Sequence, residues 1–425
     1  MRAAAGAAVL AVAATGLSAW EARAADLVAP EPIDYVRVCD AFGPGYYYIP
    51  GTDTCLAVAG RIRTDYNYFF ATETWNALAG ENIGTFDRSA NAYRFRARAY
   101  LYLDSRTNTE FGLLRTYTEA YWTVDNNGGA AVDVDAAIIQ FGGLTFGRTQ
   151  SFFDFVDAAP GSTGQFITVG YSDLITNVAA YTFAFGNGFT ASLSVEDNLS
   201  RAAGVVDATG AIDVAGAYLP DLVAVLKVEQ EWGAAQLTGA LHNVRTVAFG
   251  SELGFAVRGG VVVNVPFGSG TQFGLQGAYG YGAISYVYSN PVGGLFLDPT
   301  NVFAVASTAV DGVAVGGGID LTSAFSVAGG VSTNVTPTIS ASLNAGFTYV
   351  DVPTFPIGGF AQDGDFSNFA VESFLGWAPV DSFILGVAAQ YQYVDLSETE
   401  FVNTAIGIDD DPQLLSVFFR AQRTF

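Results

Sequence analysis

From Tyr93 to Asp104 the side chains sort into two classes by parity alone. Tyr93, Phe95, Ala97, Ala99, Leu101 and Leu103 fall on one face, and Arg94, Arg96, Arg98, Tyr100, Tyr102 and Asp104 on the other. A helix, turning about 100° per residue, would mix these sets. An extended strand separates them, because successive side chains point to opposite sides. The pattern recurs over 56–70, where Leu56, Val58, Ile62, Tyr66 and Tyr68 oppose Arg61, Arg63, Asp65 and Asn67. It is weaker but present over 271–281 and 338–351. These runs of about 10–15 residues exceed the usual strand of ~5–6 and reach the length a tilted membrane strand needs, about 9–11.

Short and long connections alternate between the runs. Turn-forming residues cluster at 105–108, Gly142-Gly143, 186–188, Trp232-Gly233, 268–270, Thr336-Pro337 and 379–381. Long segments cover about 71–91, 123–133, 150–176, 198–220, 289–320, 352–366 and 396–413, with a short one at 248–251. Seven turns and eight loops join sixteen strands and put both termini on the turn side, the layout of a transmembrane antiparallel β-barrel. Val302–Thr308 and Val313–Gly318 flank a turn-like Asp311-Gly312; they either form a hairpin inside a loop or add two strands. The last residues, 414–425, alternate and finish on Phe425. A barrel removes its edges by pairing first and last strands, so a chain ending inside a strand fits.

Composition agrees. Half of the 425 residues are hydrophobic and only 14% are charged, against about 25% in a soluble domain. Something besides water must cover much of the surface. A net charge of −23 excludes nucleic acid as a partner, since phosphates require Lys and Arg. Arg2, the apolar run Ala3–Ala19 and Ala22-Arg23-Ala24 read as a secretory signal cleaved after Ala24. The expected organisation is thus a signal peptide (1–24), a periplasmic-side segment (25–55) and a barrel (56–425). Beyond the signal no 18-residue stretch suits a membrane helix. An exported chain meets an oxidising compartment, so Cys39 and Cys55 are expected to form a disulfide. The one histidine, His242, has no second His or Cys nearby in sequence and reads as a lumen or surface imidazole. No cofactor, metal or catalytic set is implied. An outer-membrane hydrolase would need its triad built around His242, and a soluble lectin or adhesin would not need strands this long.

Residues 25–60, ADLVAPEPIDYVRVCDAFGPGYYYIPGTDTCLAVAG, closely resemble the mature start of the alphaproteobacterial porins of the Brucella and Rhizobium type. The likeness continues in Glu110–Ala120, Gly143–Phe155 and Arg420–Phe425. The resemblance implies a sixteen-stranded outer-membrane barrel, usually trimeric, that passes small hydrophilic solutes and ions. It also implies a third loop folded into the pore, carrying Ser151, Phe152, Phe153, Asp154, Phe155, Val156 and Asp157 here. A sugar-selective channel is the alternative within the class.

Nine of the 17 arginines lie between Arg61 and Arg148. Arg61, Arg63, Arg94, Arg96 and Arg98 share the wet parity of two adjacent strands, and Arg115 is expected to join them from a third. Like charges this close repel, so water and opposing carboxylates must support them. Asp154 and Asp157 on the inward loop are the expected partners, giving a basic wall and an acidic loop across a narrow waist. The same arginines could instead pin the loop by salt bridges. Lys227 and Glu229 share a face and read as a solvated wall pair. Tyr66, Tyr68, Phe69, Tyr93, Tyr279, Tyr281, Tyr391 and Tyr393 are expected in aromatic girdles. Acidic loops such as Asp409-Asp410-Asp411 argue for weak cation selectivity at low salt, opposed by the arginines at the waist.

Overall fold

Sixteen strands pair edge to edge, and the last closes on the first. In chain order they are β1 (Cys55–Ala71), β2 (Tyr93–Thr109), β3 (Gly112–Asp125), β4 (Ala131–Phe141), β5 (Leu144–Gln150), β6 (Ile175–Gly186), β7 (Phe189–Glu196) and β8 (Asp221–Gln230). There follow β9 (Gly233–Arg245), β10 (Ser251–Asn264), β11 (Ser269–Tyr281), β12 (Ser323–Thr336), β13 (Ile339–Asp351), β14 (Phe366–Val380), β15 (Phe383–Asp395) and β16 (Gln413–Thr424). Each is antiparallel to its sequence neighbours, and β16 pairs with β1 from Arg61↔Thr424 to Ala71↔Leu414. The computed structural model describes residues 37–71, 92–126, 128–163, 169–209, 211–266, 268–288, 310–357, 360–362, 364–395 and 413–425. Val38–Phe425 form one compact unit; of the unit Met1–Arg37, only Arg37 is among the described residues.

Closure is completed by the last residue. The Phe425 amide donates to the Gly60 carbonyl and the Gly60 amide to the Phe425 carbonyl, both at 2.9 Å. A Cβ on residue 60 would lie 2.5 Å from the Phe425 ring, so glycine there leaves room for the terminal aromatic.

The two faces of the ring invert the usual arrangement of a soluble protein. On the outside, Ile62, Tyr66, Phe95, Tyr279, Phe325 and Phe419 are exposed. On the inside, Asp65, Asn67, Gln276, Thr348 and Asn368 are buried. Lipid is the outer solvent, so the apolar row faces out and the polar row turns towards the lumen. Tyr66, Tyr68, Tyr93, Tyr279 and Tyr281 lie on the outer face as a girdle requires. Phe69 does not. Its parity is inward, it is buried, and Arg94 lies over its ring at 5.7 Å.

Two connections differ from expectation. The first turn is Glu110–Phe111, because β2 runs on to Thr109. Ser105 and Thr107 stay in the sheet, their hydroxyls paired with Thr116 (2.6 Å) and Thr54 (2.9 Å). Thr109 Oγ1 then closes the turn by donating to the Gly112 carbonyl at 2.7 Å. The second concerns the residues after Val302. Val302–Thr308 lie outside the described residues, but Gly312–Val315 pairs with Gly318–Leu321 around Gly316-Gly317, both at positive φ. This hairpin belongs to a separate four-stranded sheet with Val205–Val206 and Ile212–Asp213, so it decorates two loops and adds nothing to the ring. Asp311 makes no turn there because its carboxylate accepts from the amides of Ala203 (2.7 Å) and Ile284 (3.1 Å).

The short strand Tyr46–Tyr48 pairs with Cys55–Ala57 at the turn side of β1, and Cys39 is disulfide-bonded to Cys55. The bridge ties the pre-barrel segment to the first strand. A loop of this size is worth about 3 kcal/mol in the chain-entropy account. Mass spectrometry of the unreduced, protease-digested protein is expected to recover the Cys39 and Cys55 peptides as one linked species. Free thiols at both positions would contradict the pairing.

Candidate pore constriction

Register stacks the arginines. Reading across β1, β2 and β3, the inward rows are Arg61–Tyr100–Tyr121, Arg63–Arg98–Thr123 and Asp65–Arg96–Asp125, with Asn67–Arg94 above. Five of the six expected basic residues therefore form one patch. Repulsion within it is relieved by interleaved partners. Arg61 stacks over Tyr100 at 3.8 Å and Arg98 over Tyr121 at 4.3 Å. The Nε atoms of Arg98 and Arg96 donate to Thr123 Oγ1 (2.8 Å) and Asp125 Oδ1 (2.7 Å). Asp65, buried, lies between Arg63 (3.2 Å) and Arg420 of β16 (2.7 Å).

Arg115 is elsewhere. It sits opposite Arg106 near the turn end, paired with Asp104 at 3.0 Å and bonded to Gln140 at 2.9 Å. Asp104 also takes Arg106 (2.9 Å) and the Tyr46 hydroxyl (2.8 Å). This knot holds the disulfide-bonded hairpin, not the waist.

The third loop, residues 151–174, contacts the inner wall well beyond its own strands. Phe153 shares a buried apolar cluster with Val223, Val225, Ala240 and Ala256, and Phe155 shares another with Ala234, Val262 and Ala328. These wall positions are small and apolar although their parity is inward, which makes them a seat for the two rings. Further on, the Pro160 carbonyl accepts from Asn344 (3.3 Å), the Gly161 carbonyl from Ser342 (2.7 Å) and the Thr163 carbonyl from Arg420 (2.9 Å). The loop thus runs from β5 past β8–β13 to the first strand's neighbour, on the inward parity throughout. Tyr171 in its return limb is buried, which pushes its phenol up from its ordinary value, and it donates to the Ala158 carbonyl at 3.3 Å.

The two acidic residues expected to oppose the arginines, Asp154 and Asp157, find their ion-pair partners outside the arginine patch. Asp154 pairs with Arg201 (3.1 Å), lies 3.9 Å from Arg258, and accepts from the Leu174 amide at 2.7 Å, closing the loop's neck. Asp157 is 3.6 Å from Lys227, which also pairs with Glu229 at 3.1 Å. The partners expected from sequence are therefore exchanged: the loop carboxylates meet cations of β8, β10 and the fourth loop. His242 has the inward parity expected of a lumen imidazole but is covered by other groups. It is fully buried, with Nδ1 2.8 Å from Asp221 and Nε2 3.6 Å from Asp311. Tyr286 donates to the same Asp221 at 2.7 Å, and burial holds its phenol well above the ordinary value.

Sequence reasoning missed Arg420, Arg201 and Arg258. Arg420 was discoverable, since it has inward parity on the strand that must pair with β1. Arg201 lies in a loop without periodicity and carries no comparable signal. Among the described residues no group of His, Cys, Asp and Glu could hold a metal ion.

A closed, lipid-facing ring with a polar interior and with its first and last strands paired defines an outer-membrane β-barrel. The chain belongs to the family described as "Porin subfamily", whose model matches residues 26–413. It is 34% identical over 290 residues to porin Omp2b of Brucella suis, covering 64% of this chain and 72% of the relative, and 34% identical over 289 residues to Omp2b of Brucella abortus, with the same coverage. In fold it is similar to the outer-membrane channel DcaP of Acinetobacter baumannii, with a TM-score of 0.65, 17% identity, and coverage of 89% of this chain and 99% of that one. The anion-selective porin of Comamonas acidovorans has a TM-score of 0.51 at 10% identity over 88% of this chain and all of that chain. The protein is a general diffusion pore of the bacterial outer membrane, a channel rather than an enzyme.

Replacing Arg94, Arg96 and Arg98 together with Ser is expected to raise conductance and shift zero-current potentials towards cations. Each unit charge acts with about 0.5 kcal/mol at ~8 Å in water, so three change the permeability ratio several-fold. Unchanged conductance and reversal potential would show that these side chains do not line the waist.

Proposed function

We propose that solutes pass between the arginine patch of β1 and β2, with Arg61, Arg63, Arg94, Arg96 and Arg98, and the third loop, with Asp157 on its exposed side. The reading is carried by one observation: the loop's Thr163 carbonyl meets Arg420, whose strand is bonded to β1. A loop rooted at β5 that reaches β16 subdivides the lumen. Arg115 and Asp154 act in support, one at the turn end and one at the loop's neck. A transverse field in the remaining gap orders water and retards bulky apolar solutes, favouring small hydrophilic ones. A sugar-selective channel is the second reading. It is favoured by a cavity of about 410 Å³ between Asp157, Pro160, Glu229, Asn264 and Gln272, a size suited to a small ligand.

We further infer that residues 1–24 are removed as a signal peptide and that selectivity is weakly cationic. Asp409-Asp410-Asp411 lie outside the described residues; the field of a solvent-exposed charge is screened over about 8–10 Å at ordinary salt. Zero-current potentials across a KCl gradient are expected to show a cation preference that fades as mean salt rises. Anion selectivity at every concentration would mean that the arginines alone set it. Sugars added to the same bilayer discriminate the second reading, since they block a specific channel at low concentration and leave a general pore open.

A homotrimer is the proposed assembly. Its support is an outward row, Thr118–Ala137–Arg148–Asn177, across β3–β6. An arginine facing lipid costs from about 0–1 kcal/mol near the interfaces to about 2–4 kcal/mol at the midplane, and a protein partner removes that cost. On unheated gels the protein is expected to run as an oligomer and the Arg148→Glu variant as folded monomers. An unchanged oligomer would place the interface on another face.

A further inference from the structure

Two wall glutamates hold the third loop in the same grip, one at its root and one at its far end. Glu196, the last residue of β7, accepts from the Ser151 hydroxyl at 2.6 Å and from the Phe152 amide at 2.9 Å. Glu372, on the inward parity of β14, accepts from the Thr163 amide at 2.9 Å and the Thr163 hydroxyl at 2.7 Å. Both side chains are fully buried, and in each case one main-chain N–H and one hydroxyl of the loop occupy the two carboxylate oxygens. We propose that Glu196 and Glu372 are positioning residues of the constriction, which fix both ends of the loop's crossing and so set its distance from the arginine patch.

Three features separate these contacts from ordinary packing. The first is chemical: a carboxylate receiving two donors makes charge-assisted bonds, roughly twice as strong as neutral ones. Between the grips, the carbonyls of Asp154, Pro160 and Gly161 accept from the neutral side chains of Gln236, Asn344 and Ser342. Further charged contacts of the loop are the ion pairs of Asp154 and Asp157 and the Arg420 bond to the Thr163 carbonyl. The second is placement. The grips stand on β7 and β14, far apart around the ring, so together they define a span, whereas either one alone defines a pivot. The third is cost. A buried carboxylate is expensive unless its oxygens are satisfied, and here the donors come from the loop. The wall residues keep their low-energy state only when the loop is in place, and the loop's position is thereby coupled to the wall.

The proposal rests on the reading that the third loop forms the constriction, so its test needs two readouts. Hydrogen exchange with mass spectrometry on the detergent-solubilised, folded protein reports the grips. Single-channel recording of the same preparations reports the aperture. Glu372→Ala is expected to speed exchange at Thr163 by roughly tenfold or more, the factor for losing one charge-assisted bond, with Phe152 still protected. Glu196→Ala is expected to do the reverse. Both should raise open-channel noise and admit larger sugars in liposome swelling. Glu→Gln at either site should largely restore exchange and conductance, because the amide oxygen still accepts the N–H and the hydroxyl can turn to accept from the NH2 group. Should the Ala variants fail to fold, Thr163→Val and Ser151→Ala remove one bond of each grip from the loop side and are expected to give smaller changes of the same sign. Unaltered exchange in these variants would overturn the grips and leave the constriction reading standing. Faster exchange with unaltered conductance and sugar exclusion would overturn the constriction reading, and the positioning role with it.

Discussion

Every feature of this protein depends on the closure of one sheet on itself. A strand edge in hydrocarbon leaves N–H and C=O groups that no water can satisfy, at several kcal/mol each. The bond between β1 and β16, finished by the Gly60–Phe425 exchange, removes the last edge. Once the ring is closed, parity becomes destiny for each side chain: a residue points to lipid or to the lumen. The arginines of β1 and β2 are gathered into one patch by that rule and by register, not by attraction for one another.

The third loop then lies against the inner wall, whose two sides differ in chemistry. On the β8–β12 side, inward positions hold Val223, Val225, Ala240, Ala256, Val262 and Ala328, which receive Phe153 and Phe155. On the β1–β3 side, inward positions hold arginines interleaved with Tyr100, Tyr121, Asp65 and Asp125. Apolar contact seats the loop on one half, and the opposing half stays polar. Charge is neutralised within the wall itself. Asp65 serves two arginines, and Asp125 serves a third. The loop's own Asp154 is spent on Arg201 and the Leu174 amide, where it closes the neck.

Much of this was legible in the residues. Alternation from Tyr93 to Asp104 defines β2 and its inner face, and the rhythm of short and long connections counts the sixteen strands. Cys39 and Cys55 form the expected bridge. What escaped has physical reasons. The turn at Glu110–Phe111 was misplaced because Ser105 and Thr107 have turn-forming side chains that the sheet uses for cross-strand hydroxyl pairs. Phe69 was assigned outward by its chemistry when its parity pointed in. Arg115 was grouped with the waist because parity reports the face of a strand and not the depth along it. Asp154 was matched to the wrong cations because loops have no period, so nothing in sequence ties residue 154 to Arg201 or Arg258.

On the proposed function, water fills the space left between the arginine patch and the loop. Single-channel conductance in a planar bilayer tests it most directly. A water-filled pore carries ions much as bulk solution does, so current steps should appear on insertion and grow almost in proportion to bulk conductivity between about 0.1 and about 1 M KCl, where screening lengths fall to a few ångströms. Insertion without steps would mean that the loop closes the barrel. A conductance that saturates at low salt would mean that ions bind along the arginine wall instead of diffusing past it.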